Sequence, residues 1–265
     1  MKIGFIGAGK MAEALAKGFV TGKRCSAKDI FASDADAKRL AAFRKSVKCN
    51  AVSSNLELVK KSSVVILSVK PQNLAEVLDE IAGSVSVNNL VVSICAGKGL
   101  AFIESKLKGA RVVRVMPNLN CLVQEMAAAY SFGSKATRKD KKLVKFLLDS
   151  CGRAVEVSEE KMDAVTALSG SGPAFFAFVM RAFSDAAVES GLSEKEASLL
   201  AKQAMLGTGK IMLEKNLPAE VLIAMVASRG GTTEAGLKAL EGSGVKENLR
   251  EAIFAAVKRS RELGK

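Results

Sequence analysis

The chain has 265 residues, 49% apolar and 25% charged, which allows one large or two modest domains with a sizeable core and excludes wholesale disorder. It contains no histidine, no tryptophan and one tyrosine, Tyr130, which removes imidazole acid–base chemistry and histidine metal sites and disfavours aromatic stacking platforms for nucleic acid. The net charge of +13 is uneven: residues 1–155 hold 26 of the 40 basic residues and 12 of the 27 acidic ones, so the positive field belongs to the first part, where it fits an anionic ligand or a solvated lysine-rich surface.

The run Ile3–Ile6 predicts a strand. Gly7-Ala8-Gly9-Lys10-Met11-Ala12 follows and opens a helix on which Met11, Leu15 and Phe19 recur at i, i+4 and i+8. This is GxGxxA between a strand and a helix. Gly7 permits the tight turn, Gly9 lets the backbone approach a pyrophosphate, and Ala12 allows close helix–strand packing, so a dinucleotide is the expected ligand. Ile30–Ala32 predicts the next strand, closed by Ser33 and Asp34. A carboxylate there accepts hydrogen bonds from an adenosine ribose, which leans toward NADH. Ser33, Lys38 and Arg39 suit a 2′-phosphate instead, and a turn or N-cap role for Asp34 stays open.

Val64–Val69, Leu90–Ile94 and Val112–Met116 predict further strands, with Leu74, Val77, Leu78 and Ile81 on one face of a helix between the first two. Their breaks, Val69-Lys70-Pro71, Ala96-Gly97 and Met116-Pro117-Asn118, fall at carboxyl ends on one edge, where parallel sheets bind ligands. A last strand pair, Ala127–Phe132 and Ala154–Val157, brackets a helix at Thr137–Ser150. Strands alternating with helices imply an α/β fold with a parallel sheet.

From about residue 159 only helical patterns remain, which divides the chain into domains at 1–158 and 159–265. Residues 174–188 are apolar at 12 of 15 positions, a helix that must be covered on every side, at a subunit interface or at the centre of a monomer. Leu168-Ser169-Gly170-Ser171-Gly172-Pro173 precedes it with more small residues than a turn requires. Further on, Ala227-Ser228-Arg229-Gly230-Gly231-Thr232-Thr233 leads into another helix and reads as a cradle for a carboxylate, with Thr232 equally able to act as an N-cap. The five cysteines are widely spaced without CxxC, which fits a reducing cytoplasm, and no apolar run approaches the ~20 residues that span a bilayer.

Missing residues narrow the chemistry. Tyr130 lacks the lysine of a Tyr-x-x-x-Lys pair, and no histidine acid exists, so the substrate is one whose reduction demands little acid catalysis. A protonated imine fits: its carbon accepts hydride without an oxyanion to stabilise.

Four motifs in order, GFIGAGxMAxAL at the start, Val69-Lys70-Pro71, LSGSGPAF, and Ser228-x-Gly-Gly-Thr-Thr-x-x-Gly-Leu within Pro218–Glu241, resemble pyrroline-5-carboxylate reductase from end to end. The resemblance implies an N-terminal Rossmann-type domain followed by an all-helical dimerisation domain, and NAD(P)H-dependent reduction of 1-pyrroline-5-carboxylate to proline. It implies a homodimer, often assembled into decamers, with the substrate site where subunits meet. By the same resemblance Gly7, Gly9, Lys10 and Met11 match the pyrophosphate loop, and Ser33, Asp34 and Asn55 lie near the adenosine ribose. Val69, Lys70 and Pro71, with Ala96 and Gly97, line the cofactor, as does the nicotinamide-side loop carrying Asn118. Ser228, Gly231, Thr232 and Thr233 hold the substrate carboxylate, and the Thr233 hydroxyl sits by the ring nitrogen as the catalytic group. Two positions depart from the family pattern: Met116-Pro117-Asn118-Leu119-Asn120-Cys121 stands where MPNTPA is usual, and Arg229, which either points to solvent or adds a contact to the substrate carboxylate, stands where proline is usual. With these departures a related cyclic imino acid stays open as the substrate. A β-hydroxyacid-type dehydrogenase and a non-catalytic dinucleotide-sensing regulator stay open as functions.

Overall fold

The computed structural model describes Met1–Gly264. The first strands and helices are β1 (Ile3–Ile6), α1 (Lys10–Thr21), β2 (Ile30–Ser33), α2 (Ala37–Val47), β3 (Asn50–Ala51), α3 (Asn55–Lys61) and β4 (Val64–Leu67). They continue as α4 (Leu74–Ile81), β5 (Leu90–Ser93), α5 (Leu100–Lys106), β6 (Arg111–Met116), β7 (Met126–Phe132), α6 (Arg138–Leu148) and β8 (Gly152–Glu156). The strands form one sheet in the order β3-β2-β1-β4-β5-β6-β7-β8. The order reverses between β1 and β4, which makes the gap between them the switch point where such sheets bind ligands.

Side chains alternate across the strands and fill two cores. Ile3, Phe5, Val64, Ile66, Val113 and Val115 join Leu15, Phe19, Phe43 and Leu147 in one. Ile6, Val65, Leu67, Val91 and Val112 join Leu58, Leu74, Leu78, Ile81 and Ile103 in the other. A strand buried on both faces reads as an unbroken apolar run, which is why these strands stand out in the sequence.

Two features of the sheet depart from the sequence reading. β6 and β7 pair antiparallel, because only the short turn Leu119–Val123 and its flanks join them, too little chain for a crossover. β3 is only two residues long, both exposed, and carries no apolar signature.

The second group of helices comprises α7 (Met162–Val165), α8 (Gly172–Glu189), α9 (Glu194–Lys215), α10 (Ala219–Val226), α11 (Thr232–Gly242) and α12 (Val245–Gly264). The compact units fall at Met1–Ser171 with Ala256–Lys265, and at Gly172–Ala255, whereas the change of sequence pattern lies at 158/159. The segment between belongs with the sheet for physical reasons. Met162 and Ala167 are buried, Glu159 pairs with Arg114 at 2.8 Å, and the Ser169 hydroxyl donates to the Ala127 carbonyl at 2.5 Å. From α12, the Ser260 hydroxyl donates to Asp163 at 2.6 Å.

Within the helical unit α9 carries a side-chain N-cap, and α10 and α11 carry none. A capping box of Ser193 and Glu196 starts α9, and Asn216 in the left-handed region (φ 50°) ends it. Its core is nearly absent: Phe176, Phe178 and Phe183 of α8 are 57%, 75% and 56% exposed, and Leu199, Leu206, Leu213, Met225 and Phe254 lie open as well. The helix read as apolar all round is therefore not the centre of a monomer.

Candidate functional site

The turn after β1 is fixed from three sides. Gly7 has φ +97°, and a Cβ there would sit 2.7 Å from the Ser68 carbonyl oxygen, so only glycine fits. Its N–H donates to the Ser33 carbonyl at 2.8 Å, and its own carbonyl accepts from the Ser68 hydroxyl at 2.7 Å. Gly9 is the N-cap of α1 and brings no capping side chain; a Cβ on it would meet nothing within 4 Å. The first N–H groups of α1, at Lys10, Met11 and Ala12, thus have no side-chain cap, and the helix presents its positive end to an open space. Lys10 is exposed beside it and Met11 half-buried. This cradle fits a pyrophosphate.

Beside the loop stands Asp34, its side chain 7% exposed. Oδ2 accepts the Ala8 N–H at 2.7 Å and Arg39 Nε at 3.0 Å; Oδ1 accepts the Asp36 N–H at 2.8 Å and Arg39 Nη2 at 3.0 Å. A carboxylate has about four lone-pair sites, and all are engaged. Its oxygens are bonded within the protein, and the residue latches the glycine loop to the start of α2. Burial pushes its carboxyl up, but Arg39 and the Ala8 and Asp36 N–H groups outweigh that and hold it below its ordinary value. Asp36, not Asp34, caps α2.

Next to it, Ser33 Oγ donates to Asn55 Oδ1 at 2.7 Å, and Asn55 Nδ2 donates to Glu80 at 2.6 Å. Ser33 is buried, Asn55 half-buried and Glu80 exposed.

The remaining edge loops follow in strand order. The strand expected over Val64–Val69 stops at Leu67, because Ser68 turns its hydroxyl to Ile6 and Gly7. Val69, Lys70 and Pro71 follow, with Lys70 and Pro71 exposed at the start of a short 3-10 turn. Ala96 is exposed; Gly97, at φ +76°, lies so close to Leu263 that a Cβ would approach its carbonyl to 2.9 Å. Cys95 before them is buried, and burial raises its thiol to about 11, which makes it an inert filler. Asn118 is buried with its amide engaged: Oδ1 accepts the Ala127 N–H at 3.2 Å and Nδ2 donates to the Ser169 carbonyl at 3.3 Å. It ties the turn to β7, and the atypical Cys121 is buried beneath that turn while Leu119 and Leu122 are exposed.

In the helical unit, Ser228, Arg229 and Gly230 are exposed. Gly230 has φ +71°, a conformation that favours glycine, and a Cβ on Gly231 would lie 2.4 Å from Ser228 Oγ, so the serine side chain would have to turn away. Gly231, not Thr232, is the N-cap of α11; Thr232 and Thr233 occupy its first turn without a side-chain cap. The Gly230 N–H donates to Glu234 at 2.5 Å, which draws that carboxyl below its ordinary range. The result is a second open helix N-terminus, flanked by the hydroxyls of Ser228, Thr232 and Thr233. Arg229 enters no ion pair among the described residues.

Gly7, Gly9, Lys10, Met11, Ser33, Asp34, Asn55, Val69, Lys70, Pro71, Ala96, Gly97 and Asn118 all belong to the sheet unit, and all but Asn55 follow or end strands at its carboxyl edge. Ser228 to Thr233 belong to the helical unit. Ser68 and Glu80 escaped the sequence reading. Each meets its partner across more than twenty residues, and neither carries a local motif.

Comparison with known proteins covers the whole chain. Residues 159–263 match the family model for pyrroline-5-carboxylate reductase dimerisation, and residues 2–97 match that for NADP oxidoreductase, coenzyme F420-dependent. The chain is 41% identical to a pyrroline-5-carboxylate reductase of Methanosarcina acetivorans over 100% of its own length and 98% of the relative's, and 39% identical to that of Arabidopsis thaliana over 99% and 95%. Among solved structures, the reductase of Coxiella burnetii superposes with a TM-score of 0.95 at 32% identity, covering 100% of this chain and 98% of the other. That of Plasmodium falciparum with NADP bound gives 0.88 at 31%, again over 100% and 98%.

The Asp34 latch has a pH signature. Its folded pKa lies below the unfolded value, so the stability it contributes is complete above about pH 4 and is lost as pH falls through the folded value. Urea midpoints of the wild type and Asp34→Asn, taken from neutral to strongly acid pH, are expected to differ at neutrality and converge in acid. A gap that stays constant would show that the charge on Asp34 contributes nothing.

Proposed function

The chain belongs to the pyrroline-5-carboxylate reductase family, and from that premise we propose that it reduces 1-pyrroline-5-carboxylate to L-proline with NADH or NADPH, the last step of proline synthesis. The observation that carries the reading is the pair of uncapped helix N-termini behind glycine loops, one at the sheet's switch point and one in the helical unit. The first suits a pyrophosphate and the second a carboxylate, and the substrate is an imino acid with one carboxylate.

A nicotinamide dinucleotide held at the first cradle would supply a hydride. The protein's own residues do the rest. Gly7 to Met11 hold the pyrophosphate through backbone N–H groups, with Lys10 adding charge. Ser33 and Asn55 meet the ribose, and the loops at Val69–Pro71, Ala96–Gly97 and Asn118 run along the cofactor. Ser228, Gly231, Thr232 and Thr233 receive the carboxylate at the positive end of α11, and Arg229 adds a cation to that loop. The Thr233 hydroxyl orients the ring nitrogen, which carries a proton in the iminium form. Addition of hydride to the carbon of such a C=N bond would send its π electrons to nitrogen, so no oxyanion would form and no histidine would be needed.

The helical unit works as a homodimer, its open apolar helices covered by a second copy. Five free cysteines suit the reducing cytoplasm, and among the described residues no helix is long and apolar enough to cross a membrane.

Oxidation of NADH or NADPH, followed by absorbance with pyrroline-5-carboxylate as substrate, is expected to yield stoichiometric proline; no turnover with either nucleotide would end the proposal. Phe178→Glu is expected to abolish the dimer in sedimentation, because it would bury an unpaired carboxylate; an unchanged dimer would place the interface elsewhere. Thr233→Ala is expected to lower kcat about tenfold to a hundredfold, the low end of what a positioned proton-relaying group contributes. A loss beyond about ten-thousandfold in a folded variant would make the threonine an essential acid.

A further inference from the structure

Ser33 ends β2, where a dinucleotide fold meets the adenosine ribose. Asp34, the expected partner of that ribose, has its acceptor sites filled, and Arg39, one of the two cations suited to a phosphate, is held by both Asp34 oxygens. The groups left are Ser33, Asn55 and Glu80, and their hydrogen bonds run in one direction.

An ionised carboxylate only accepts, so Asn55 must turn its nitrogen to Glu80, which it does at 2.6 Å. That turns Oδ1 toward Ser33, whose hydroxyl donates to it at 2.7 Å. A hydroxyl has one proton. With that proton given to Asn55, Ser33 can offer a ligand only lone pairs.

We propose that Glu80 is a positioning residue that sets the polarity of the Ser33–Asn55 pair, so that this edge selects the dinucleotide bearing a ribose 2′-hydroxyl, NADH, over the one bearing a 2′-phosphate, NADPH. The inference rests on the dinucleotide reading above. A 2′-hydroxyl brings a donor and matches the Ser33 lone pairs. A 2′-phosphate brings charged acceptors, meets those lone pairs and the Glu80 carboxylate, and finds Arg39 already paired, with the exposed Lys38 left to face it.

Fluorescence titration of the full chain with NADH and with NADPH, without substrate, tests this directly. The wild type is expected to bind NADH about tenfold more tightly, the scale of one well-placed hydrogen bond. Glu80→Gln can present an oxygen or a nitrogen to Asn55, so the amide is free to turn and Ser33 to donate; the affinity ratio is expected to fall close to one. Ser33→Ala is expected to weaken NADH and spare NADPH. A merely structural role for Glu80 would move both affinities together and leave their ratio alone. A wild-type preference for NADPH, or a ratio unchanged in both variants, overturns the relay. So does a Glu80→Gln effect that disappears at high salt, which would mark simple charge repulsion. A wild type that binds neither nucleotide sinks the dinucleotide reading and this inference with it, whereas unaltered selectivity in a chain that binds both sinks the relay alone.

Discussion

The dinucleotide cradle at the sheet's switch point depends on how the turn after β1 is pinned. Gly7 is clasped between Ser33 and Ser68, and Ala8 is tied to Asp34. These bonds join the ends of β2, β1 and β4, the three strands around the switch point. A glycine turn is floppy by default, since glycine loses the most conformational freedom on ordering. Here the loss is offset by bonds from both neighbouring strands, so the first turn of α1 is aimed before any ligand arrives. Preorganised N–H groups bind anions better than groups that must be collected on binding.

The helical unit obeys the opposite logic. Of its helices α9 is capped at both ends while α10 and α11 lack a side-chain N-cap, and its large apolar side chains are left open. Burying one large apolar side chain is worth roughly 1.5–3 kcal/mol, and α8 alone leaves Phe176, Phe178 and Phe183 largely exposed. Local propensity shapes these helices, while the energy that holds them must come from contacts beyond those they make with one another.

The sequence was most legible where the structural cause is local. The GxGxxA turn, the buried strands and the Gly-Gly-Thr-Thr loop each announce themselves within a dozen residues, because backbone strain, double-sided burial and helix starts are short-range demands. What could not be read was who bonds to whom at long range. Asp34 looked like a ribose acceptor because the sequence does not show that Ala8 and Arg39 fill its oxygens. Glu80 had no voice at all, as one of three acidic residues on α4. Asn118 sits at the expected loop, but its amide serves β7 and Ser169. The antiparallel β6–β7 pairing was hidden because strand direction is set by connector length, and the turn between them is neither clearly helix nor clearly hairpin.

The contact between Gly97 and the last turn of α12 has a consequence for the order of assembly. Gly97 closes on Leu263, and a Cβ at Gly264 would lie 3.0 Å from the Gly97 carbonyl. Domains tend to fold as they leave the ribosome, the N-terminal part first. Nearly all of the sheet unit precedes residue 172, but this one contact of the loop needs α12. The loop after β5 thus gains this contact only after Leu263 has been made, whereas the partners that clasp the glycine turn all precede residue 69.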